Sequence, residues 1–364
     1  MNKKLIALAV AAAIAPAAAM ADSGNVTIYG VAHASIDARD PGTGGTAENT
    51  VAISSNSSRL GFKGTEDLGN GLSAVWQMET GVDLDTNATS SFMTRNSFVG
   101  LSSKAAGTVI LGKHDTPYKL ATGSLDLFGD TMGDYNAVIG NVNNTVYFDS
   151  RLGNVAAYIS PTWSGFHFAA ATVAANESGN STTSNPSAYS LAGIYSNGPM
   201  FASLSYEKAS DTTDAVSSGA GLPAVTVGGE AHATKLGLGY TVGAVKLGFV
   251  WEGIKANSTT SPTGALNRNA LLLNAAYTMG NNVLKAQYAK AGESDVADTG
   301  ANQWVIGVDH NFSKRTSVYA LYSKMNNDTN SSYGLGQGGA GGKFTPAAAG
   351  QDPSVWSLGM RHSF

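Results

Sequence analysis

The chain has 364 residues, no cysteine, 44 glycines and a formal net charge of −4. Charged residues make up 13% of it, against roughly 25% in soluble globular domains. Zero cysteine excludes a disulfide scaffold, a thiolate metal site and a cysteine nucleophile. There is no basic excess of the kind that nucleic-acid binding requires, so we expect no nucleic-acid partner.

The chain begins with the pattern of a cleaved export signal. Lys3 and Lys4 precede a short apolar stretch, and Ala19-Met20-Ala21 fits the small-x-small cleavage rule. Neither this stretch nor any later apolar run approaches the roughly 20 residues that a membrane-spanning helix needs. The pattern predicts a signal peptide over residues 1–21 and one folded, exported unit over residues 22–364.

From residue 26 onward, hydrophobic side chains recur at every second position, which is the period of β-strands and not of helices. The last segment is a clear case. One of its faces carries Trp356, Leu358, Met360 and Phe364, and the other carries Ser357, Gly359, Arg361 and Ser363.

Short turns and long polar loops alternate between the predicted strands, which is typical of a transmembrane β-barrel of the bacterial outer membrane. The sequence therefore predicts an all-β fold: a 16-stranded antiparallel barrel with short periplasmic turns and long extracellular loops. For the sixth strand the segment Asn144–Ser150 is an alternative. The predicted spans are 25–37, 57–66, 72–83, 95–102, 107–113, 153–160, 165–174, 187–196, 200–209, 231–241, 245–255, 270–278, 283–291, 302–311, 316–325 and 354–364.

The third long connection, at about residues 114–152, differs from the others because it is partly apolar. It contains a helical turn at Pro117–Ala121 and the hydrophobic residues Leu120, Leu125, Leu127 and Phe128. A freely solvated loop gives such residues nothing to pack against, and long loops in compact domains are usually functional. We expect this loop to fold into the lumen and narrow it. The alternative is an exposed loop that covers a neighbouring subunit.

Seven segments of the chain carry recognisable motifs. They are Val26–Gly30, Ser58–Leu72, Arg95–Leu101, Gly107–Lys113, Ser160–Phe166, Ser313–Thr316 and Leu358–Phe364. Together they resemble the motifs of the general porin family of β-proteobacteria, the group that includes Neisseria, Bordetella, Burkholderia and Comamonas porins. The resemblance covers the whole mature chain. Two features depart from the family pattern: Lys113 and His114 stand where the family often has Arg, and Asp126-Leu127-Phe128-Gly129 replaces its usual Pro-x-Phe-Gly stretch.

The resemblance implies a homotrimer of barrels in the outer membrane, in contact with its lipid and lipopolysaccharide. Each barrel would have a third loop that constricts its own water-filled pore for ions and small hydrophilic solutes. A porin performs no bond chemistry, so we expect no catalysis and no cofactor. The six histidines are scattered and form no His-x-x-x-His pair, so we expect no metal site. The resemblance also implies that the barrel-assembly machinery reads the last strand as an insertion signal, whose residues are Trp356, Leu358, Met360 and Phe364.

Passage through such a channel depends on its width and on the charges of its wall. Strand alternation and loop position predict a basic wall that faces an acidic third loop, and with it a weak ion preference that leans towards anions if the basic wall dominates. The basic residues are Arg59, Lys63, Arg95, Lys113 and Arg151, and the loop acids are Asp115, Asp126, Asp130 and Asp134.

Three other functions compete with general diffusion. A substrate-selective channel for phosphate, sugars or dicarboxylates would line its path with specific groups, and Tyr29, Tyr118 and Tyr135 are candidates for an aromatic track. An outer-membrane lipase or protease would need a catalytic triad or paired acids, and the sequence has no such motif. An adhesin or surface antigen would use the long loops.

Overall fold

The computed structural model describes residues 26–42, 48–86, 92–144, 146–174, 187–210, 229–257, 266–336 and 343–364. The expected signal peptide and its cleavage site lie outside them. The described residues form a closed antiparallel barrel of sixteen strands. The fold class predicted from the alternating pattern is confirmed.

The barrel strands follow the predicted order, and most of their ends lie within three residues of the predicted ones. They are β1 Val26–Asp40, β2 in two segments (Thr50–Ser55 and Arg59–Gly69), β3 Leu72–Gly81, β4 Ser97–Ser103, β5 Gly107–Asp115, β6 Arg151–Ile159, β7 Phe166–Ala174, β8 Ser187–Asn197, β9 Met200–Ser210, β10 Glu230–Val242, β11 Val245–Ala256, β12 Arg268–Met279, β13 Asn282–Ala291, β14 Ala301–Asn311, β15 Thr316–Asn327 and β16 Ser354–Ser363.

The barrel closes because β1 pairs with β2 on one side and with β16 on the other. The register of the closing pair runs from Val31 opposite Ser363 to Asp40 opposite Ser354. Gly30 and Phe364 continue it, since each backbone N–H donates to the carbonyl oxygen of the other at 3.1 Å. Closure leaves no unpaired edge, as hydrocarbon requires of any spanning sheet.

The predicted spans 25–37 and 57–66 leave residues 38–56 as a connection, and both of its ends are wrong. β1 continues to Asp40, and Thr50–Ser55 pairs with it in the register Arg39 opposite Thr50 to Ala34 opposite Ser55. This first segment of β2 is separated from the second at Ser57, whose φ is 53°. The sequence pattern did not predict the segment Thr50–Ser55, because the polar interruption around Ser57 breaks the two-residue hydrophobic period.

The outer face of the barrel is apolar and the inner face is polar. In β16 the side chains of Trp356 and Leu358 are each 61% exposed on the outside, whereas Ser357 between them is 1% exposed. A lipid-facing band of this kind explains the low content of charged residues, because charged groups there would be costly at the bilayer midplane. Within the described residues, the few helical turns are all too short to cross a membrane.

The third loop, residues 116–150, lies inside the barrel. It contains helix α1 (Pro117–Leu120), which Thr116 caps by accepting a hydrogen bond from the Lys119 N–H at 3.3 Å. Leu125 and Phe128 are each 1% exposed and belong to a core that includes inner-wall residues such as Leu272.

Two details differ from the sequence-based picture of this loop. Leu120, expected to pack, is 43% exposed. The extended stretch near residue 146 is not a barrel strand, because Val146–Tyr147 pairs with Asn141–Val142 in a small hairpin within the loop. The sixth barrel strand is Arg151–Ile159, in agreement with the predicted span 153–160.

Five charged or phenolic side chains fasten the loop to the wall formed by β10, β11 and β12. We call Tyr118, Asp149, Lys235, Glu252 and Arg268 the loop latch. Glu252 accepts hydrogen bonds from the Tyr118 hydroxyl at 2.6 Å and from Arg268 at 3.1 Å. It also accepts one from the Gly140 N–H at 2.8 Å. Lys235 forms an ion pair with Asp149 and lies over the Tyr118 ring.

Candidate pore constriction

A polar cavity of about 410 Å³ lies between the third loop and the barrel wall. Its wall side comes from the inner faces of β1, β2 and β13–β16, from a residue just before β4, and from the end of β5 and the start of β6. Seven of the nine charged residues predicted for the constriction line this cavity. They are Arg59, Arg95, Arg151, Asp115, Asp126, Asp130 and Asp134.

Arg59 connects the basic wall directly to the tip of the loop. It is the first residue of the second segment of β2, and its Nη1 lies 3.1 Å from an Asp130 carboxylate oxygen. The same Nη1 donates to the Ser57 carbonyl oxygen at 3.0 Å. The guanidinium is thereby held across the gap between wall and loop.

Arg95 is held from the adjacent strand. Its Nε lies 2.6 Å from Glu79, which also accepts a hydrogen bond from the Tyr29 hydroxyl at 2.9 Å. The Tyr29 ring lies across Gly61, where a Cβ would overlap the ring. Glycine at this position lets the phenol lie flat on the wall and reach the carboxylate.

Arg151 and Asp115 form the centre of a cluster where the third loop leaves β5 and re-enters β6. The Arg151 guanidinium lies 3.1 Å from Asp115 and donates from Nε to the Asn96 amide oxygen at 2.7 Å. Lys119, one helical turn later, forms a second ion pair with Asp115 at 3.1 Å. Two cations on one carboxylate leave this end of the cavity net positive.

Asp126 and Asp134 lie in the third loop, outside the membrane-spanning strands, and have no ion-pair partner within the described ranges. Backbone N–H groups bind them: Phe128 donates to Asp126 at 2.9 Å and Asn136 donates to Asp134 at 2.8 Å. Burial raises the pKa of Asp134 to about 6, with Asp130 adding to the shift. Burial and the nearby Asp134 raise the pKa of Asp126 well above its ordinary value.

Two of the predicted basic residues, Lys63 and Lys113, do not line this cavity. Lys63 is on the same face of β2 as Arg59, but four residues further on, which is about 13 Å at the rise of a strand. It lies 5.1 Å from the centre of the Tyr29 ring and lines a separate cavity of about 630 Å³. Lys113 pairs in register with Ser97 of β4 and does not line the cavity under the loop.

Sequence reasoning missed four charged residues of the cavity: Lys119, Lys285, Asp309 and Arg361. Lys285 of β13 lies 2.8 Å from Asp309 of β14 and donates to the Leu127 carbonyl oxygen at 2.9 Å. The alternating pattern contained the signal, because Lys285 and Arg361 both fall on the inward face of their strands. The stagger between neighbouring strands determines which inward residues lie at the level of the loop. The alternating sequence pattern contains no information about that stagger.

The cavity thus contains six cationic and five carboxylate side chains. One of the five, Asp126, has a pKa that burial and the nearby Asp134 raise well above its ordinary value. Cations lie mainly on the wall and carboxylates mainly on the loop. The arrangement is a narrow polar gap with a transverse field. Its lining has one more cation than carboxylates, while Glu79, the ion-pair partner of Arg95, lies outside the lining.

Comparison with known proteins identifies relatives along the full chain. The family of Gram-negative porins matches residues 7–330. Outer membrane porin protein 32 of Delftia acidovorans is 32% identical over 381 residues, covering 100% of both chains. Major outer membrane protein P.IB of Neisseria meningitidis is 31% identical over 373 residues, again covering 100% of both.

A solved structure is similar over nearly its whole length. The anion-selective porin from Comamonas acidovorans superposes with a TM-score of 0.74 at 26% sequence identity, over 93% of this chain and 99% of that one.

Proposed function

This chain belongs to the Gram-negative porin family, and from that premise we propose that its outer-membrane diffusion channel passes small anions somewhat better than small cations. The observation that carries the proposal is the charge composition of the cavity under the third loop, with six cations against five carboxylates. The similar Comamonas porin is itself described as anion-selective, which agrees with this direction.

The preference is weak because most of the charges are paired. Two unit charges 4 Å apart interact by about 1 kcal/mol in bulk water and about 4 kcal/mol at an effective dielectric constant near 20. Ion pairs such as Arg59 with Asp130 therefore act on a passing ion as short dipoles, whose fields fall off quickly. The small excess of positive charge favours the passage of anions without binding them tightly.

Reversal potentials across planar bilayers, in a gradient of potassium chloride, test the proposal. The wild-type channel is expected to give a potential of the sign that marks chloride preference. Arg59→Ala is expected to reduce it, because the substitution removes a wall cation and leaves Asp130 without its partner. Arg315→Ala is the matched control, since Arg315 is exposed in the turn before β15 and does not line the cavity. A cation preference of the wild-type channel would contradict the proposal.

We also propose that the channel functions as a homotrimer in contact with outer-membrane lipid and lipopolysaccharide. The support is the family membership together with an outer wall rich in exposed apolar residues, such as Ile36, Leu358 and Met360 near the closing strands. Sedimentation of the detergent-solubilised protein, corrected for bound detergent, is expected to give three times the mass of the chain. A monomer that conducts in bilayers would contradict the trimer and leave the channel assignment intact.

A substrate-selective channel for phosphate or dicarboxylates is the second candidate. The observation that favours it is the convergence of Arg59, Arg95 and Arg151 on one cavity, because guanidinium groups bind carboxylate and phosphate in a bidentate manner. Conductance measured with each solute separates the two functions. Block by one such solute at micromolar concentration would favour selective transport over general diffusion.

A further inference from the structure

Arg361 differs from the other cations of the constriction because its side chain has no carboxylate partner among the described residues. The other five each lie within 3.1 Å of a carboxylate: Arg59 of Asp130, Arg95 of Glu79, Lys119 and Arg151 of Asp115, and Lys285 of Asp309. The Arg361 side chain forms no ion pair or hydrogen bond with any residue that the structure describes, although it lines the same cavity.

Strand alternation in β16 points Arg361 into the lumen. Met360 is 52% exposed on the lipid-facing side, so its neighbour Arg361 faces inward. Arg361 lies in register with His33 of β1 and Ser317 of β15, and both of these line the cavity too. Its neighbours across the sheet on both sides are therefore without negative charge at neutral pH.

An unpaired guanidinium offers all of its N–H donors to a ligand. Arginine has five such donors in a fixed planar fork and no acceptor. An anion that binds any of the paired arginines must compete with a carboxylate already in place, whereas an anion that binds Arg361 displaces only water. Arg361 is also exposed, so the lumen can reach it without movement of the loop.

We propose that Arg361 is the residue of the constriction that permeating anions contact directly, and that it determines much of the channel's charge preference. The proposal rests on the anion preference proposed above and adds the group responsible for it. Its ligands are small inorganic anions and the carboxylate or phosphate groups of small solutes.

The test uses reversal potentials of Arg361→Gln, Arg361→Lys and Arg315→Gln in the full channel. Arg361→Gln is expected to lose most of the wild-type anion preference, while Arg361→Lys retains most of it because the charge remains. Arg315→Gln removes the same charge outside the cavity and is expected to match the wild type. Because Arg361 has no partner among the described residues, its substitution is expected to leave assembly of the barrel intact.

Salt concentration distinguishes direct contact from a long-range field. The Debye length is about 10 Å at 0.1 M salt and about 3 Å at 1 M. An effect of Arg361→Gln that persists at 1 M supports contact with the ion, and an effect that disappears there overturns it. A wild-type channel without anion preference would contradict the proposed function. A wild-type preference that Arg361→Gln leaves unchanged would overturn only the role of Arg361.

The absence of cysteine from the chain permits a second test that does not depend on the Gln variant. In Arg361→Cys the thiolate can be modified with a methanethiosulfonate reagent, which forms a mixed disulfide and releases methanesulfinate. A reagent with a quaternary ammonium group is expected to restore the anion preference, and a neutral reagent of similar size is not. Equal effects of both reagents would overturn the proposal.

Discussion

At the scale of single residues, the charges of the constriction are placed for function more than for stability. The side chains of the Arg59–Asp130 pair keep 17% and 26% of their exposure. Solvent-exposed ion pairs typically contribute about 0–1 kcal/mol. Pairs of this kind fix where positive and negative groups lie, and they leave the field in the gap sensitive to single substitutions.

The two unpaired loop acids make the ion preference depend on pH. The pKa of Asp134 is raised to about 6 by burial, so lowering the pH through that value protonates it and removes a negative charge from the cavity. Asp130 favours this protonation and Lys119 opposes it. We expect the anion preference, measured by reversal potential, to increase as the pH falls from 7 to 5.

Asp134→Asn is the matched variant for this prediction. It removes the titrating group with little change of shape, so its preference at pH 7 is expected to be close to that of the wild type at pH 5. Its dependence on pH over this range is expected to be flatter. An unchanged pH profile in Asp134→Asn would show that another group titrates.

At the scale of elements, the sequence was sufficient for the strands and for the inward course of the third loop, but not for what holds that loop. Alternation shows directly which residues share a strand face. The apolar side chains of Leu125 and Phe128 predicted that the loop packs against the barrel wall. Glu252 and Arg268, in contrast, lie more than 100 residues from the loop groups they bind. Local patterns contain no information about contacts of that separation.

The loop latch predicts a defined defect. Glu252 and Arg268 are both fully buried, with 0% side-chain exposure. Glu252→Gln leaves the Arg268 charge without its counter-ion, and breaking a buried pair in this way typically costs about 3–5 kcal/mol. We expect the loop to detach from the wall, so that single-channel conductance increases and proteases cleave the loop in the folded barrel.

Glu230→Gln is the control for the latch. Glu230 also pairs with a lysine, Lys208 at 2.5 Å, but its side chain is 53% exposed. The same substitution there is expected to leave both conductance and protease resistance at wild-type levels. Wild-type conductance in Glu252→Gln would mean that the apolar core under the loop holds it without the latch.

At the scale of the whole molecule, closure connects the two ends of the described chain. The number of strands was predictable because each strand has its own two-residue hydrophobic period. The stagger between strands was not predictable, and it determines which residues come together under the loop. Closure itself depends on residues far apart in the chain, since β1 must pair with β16. The last residue is the one that completes the pairing, because Phe364 bonds Gly30 through both backbone groups.

Phe364 is expected to act chiefly as a signal for assembly in the cell. Its ring lies against Gly30 but remains 50% exposed, so Phe364→Ala removes little packing and keeps both backbone hydrogen bonds. We expect the variant to lose most of its folded barrel in cells, measured by heat-modifiable mobility in gels, and to refold near wild-type yield in detergent. Phe312→Ala, an aromatic with 62% exposure outside the closing strand, is the control and should assemble normally. Equal losses of Phe364→Ala in cells and in detergent would assign the ring to barrel closure instead.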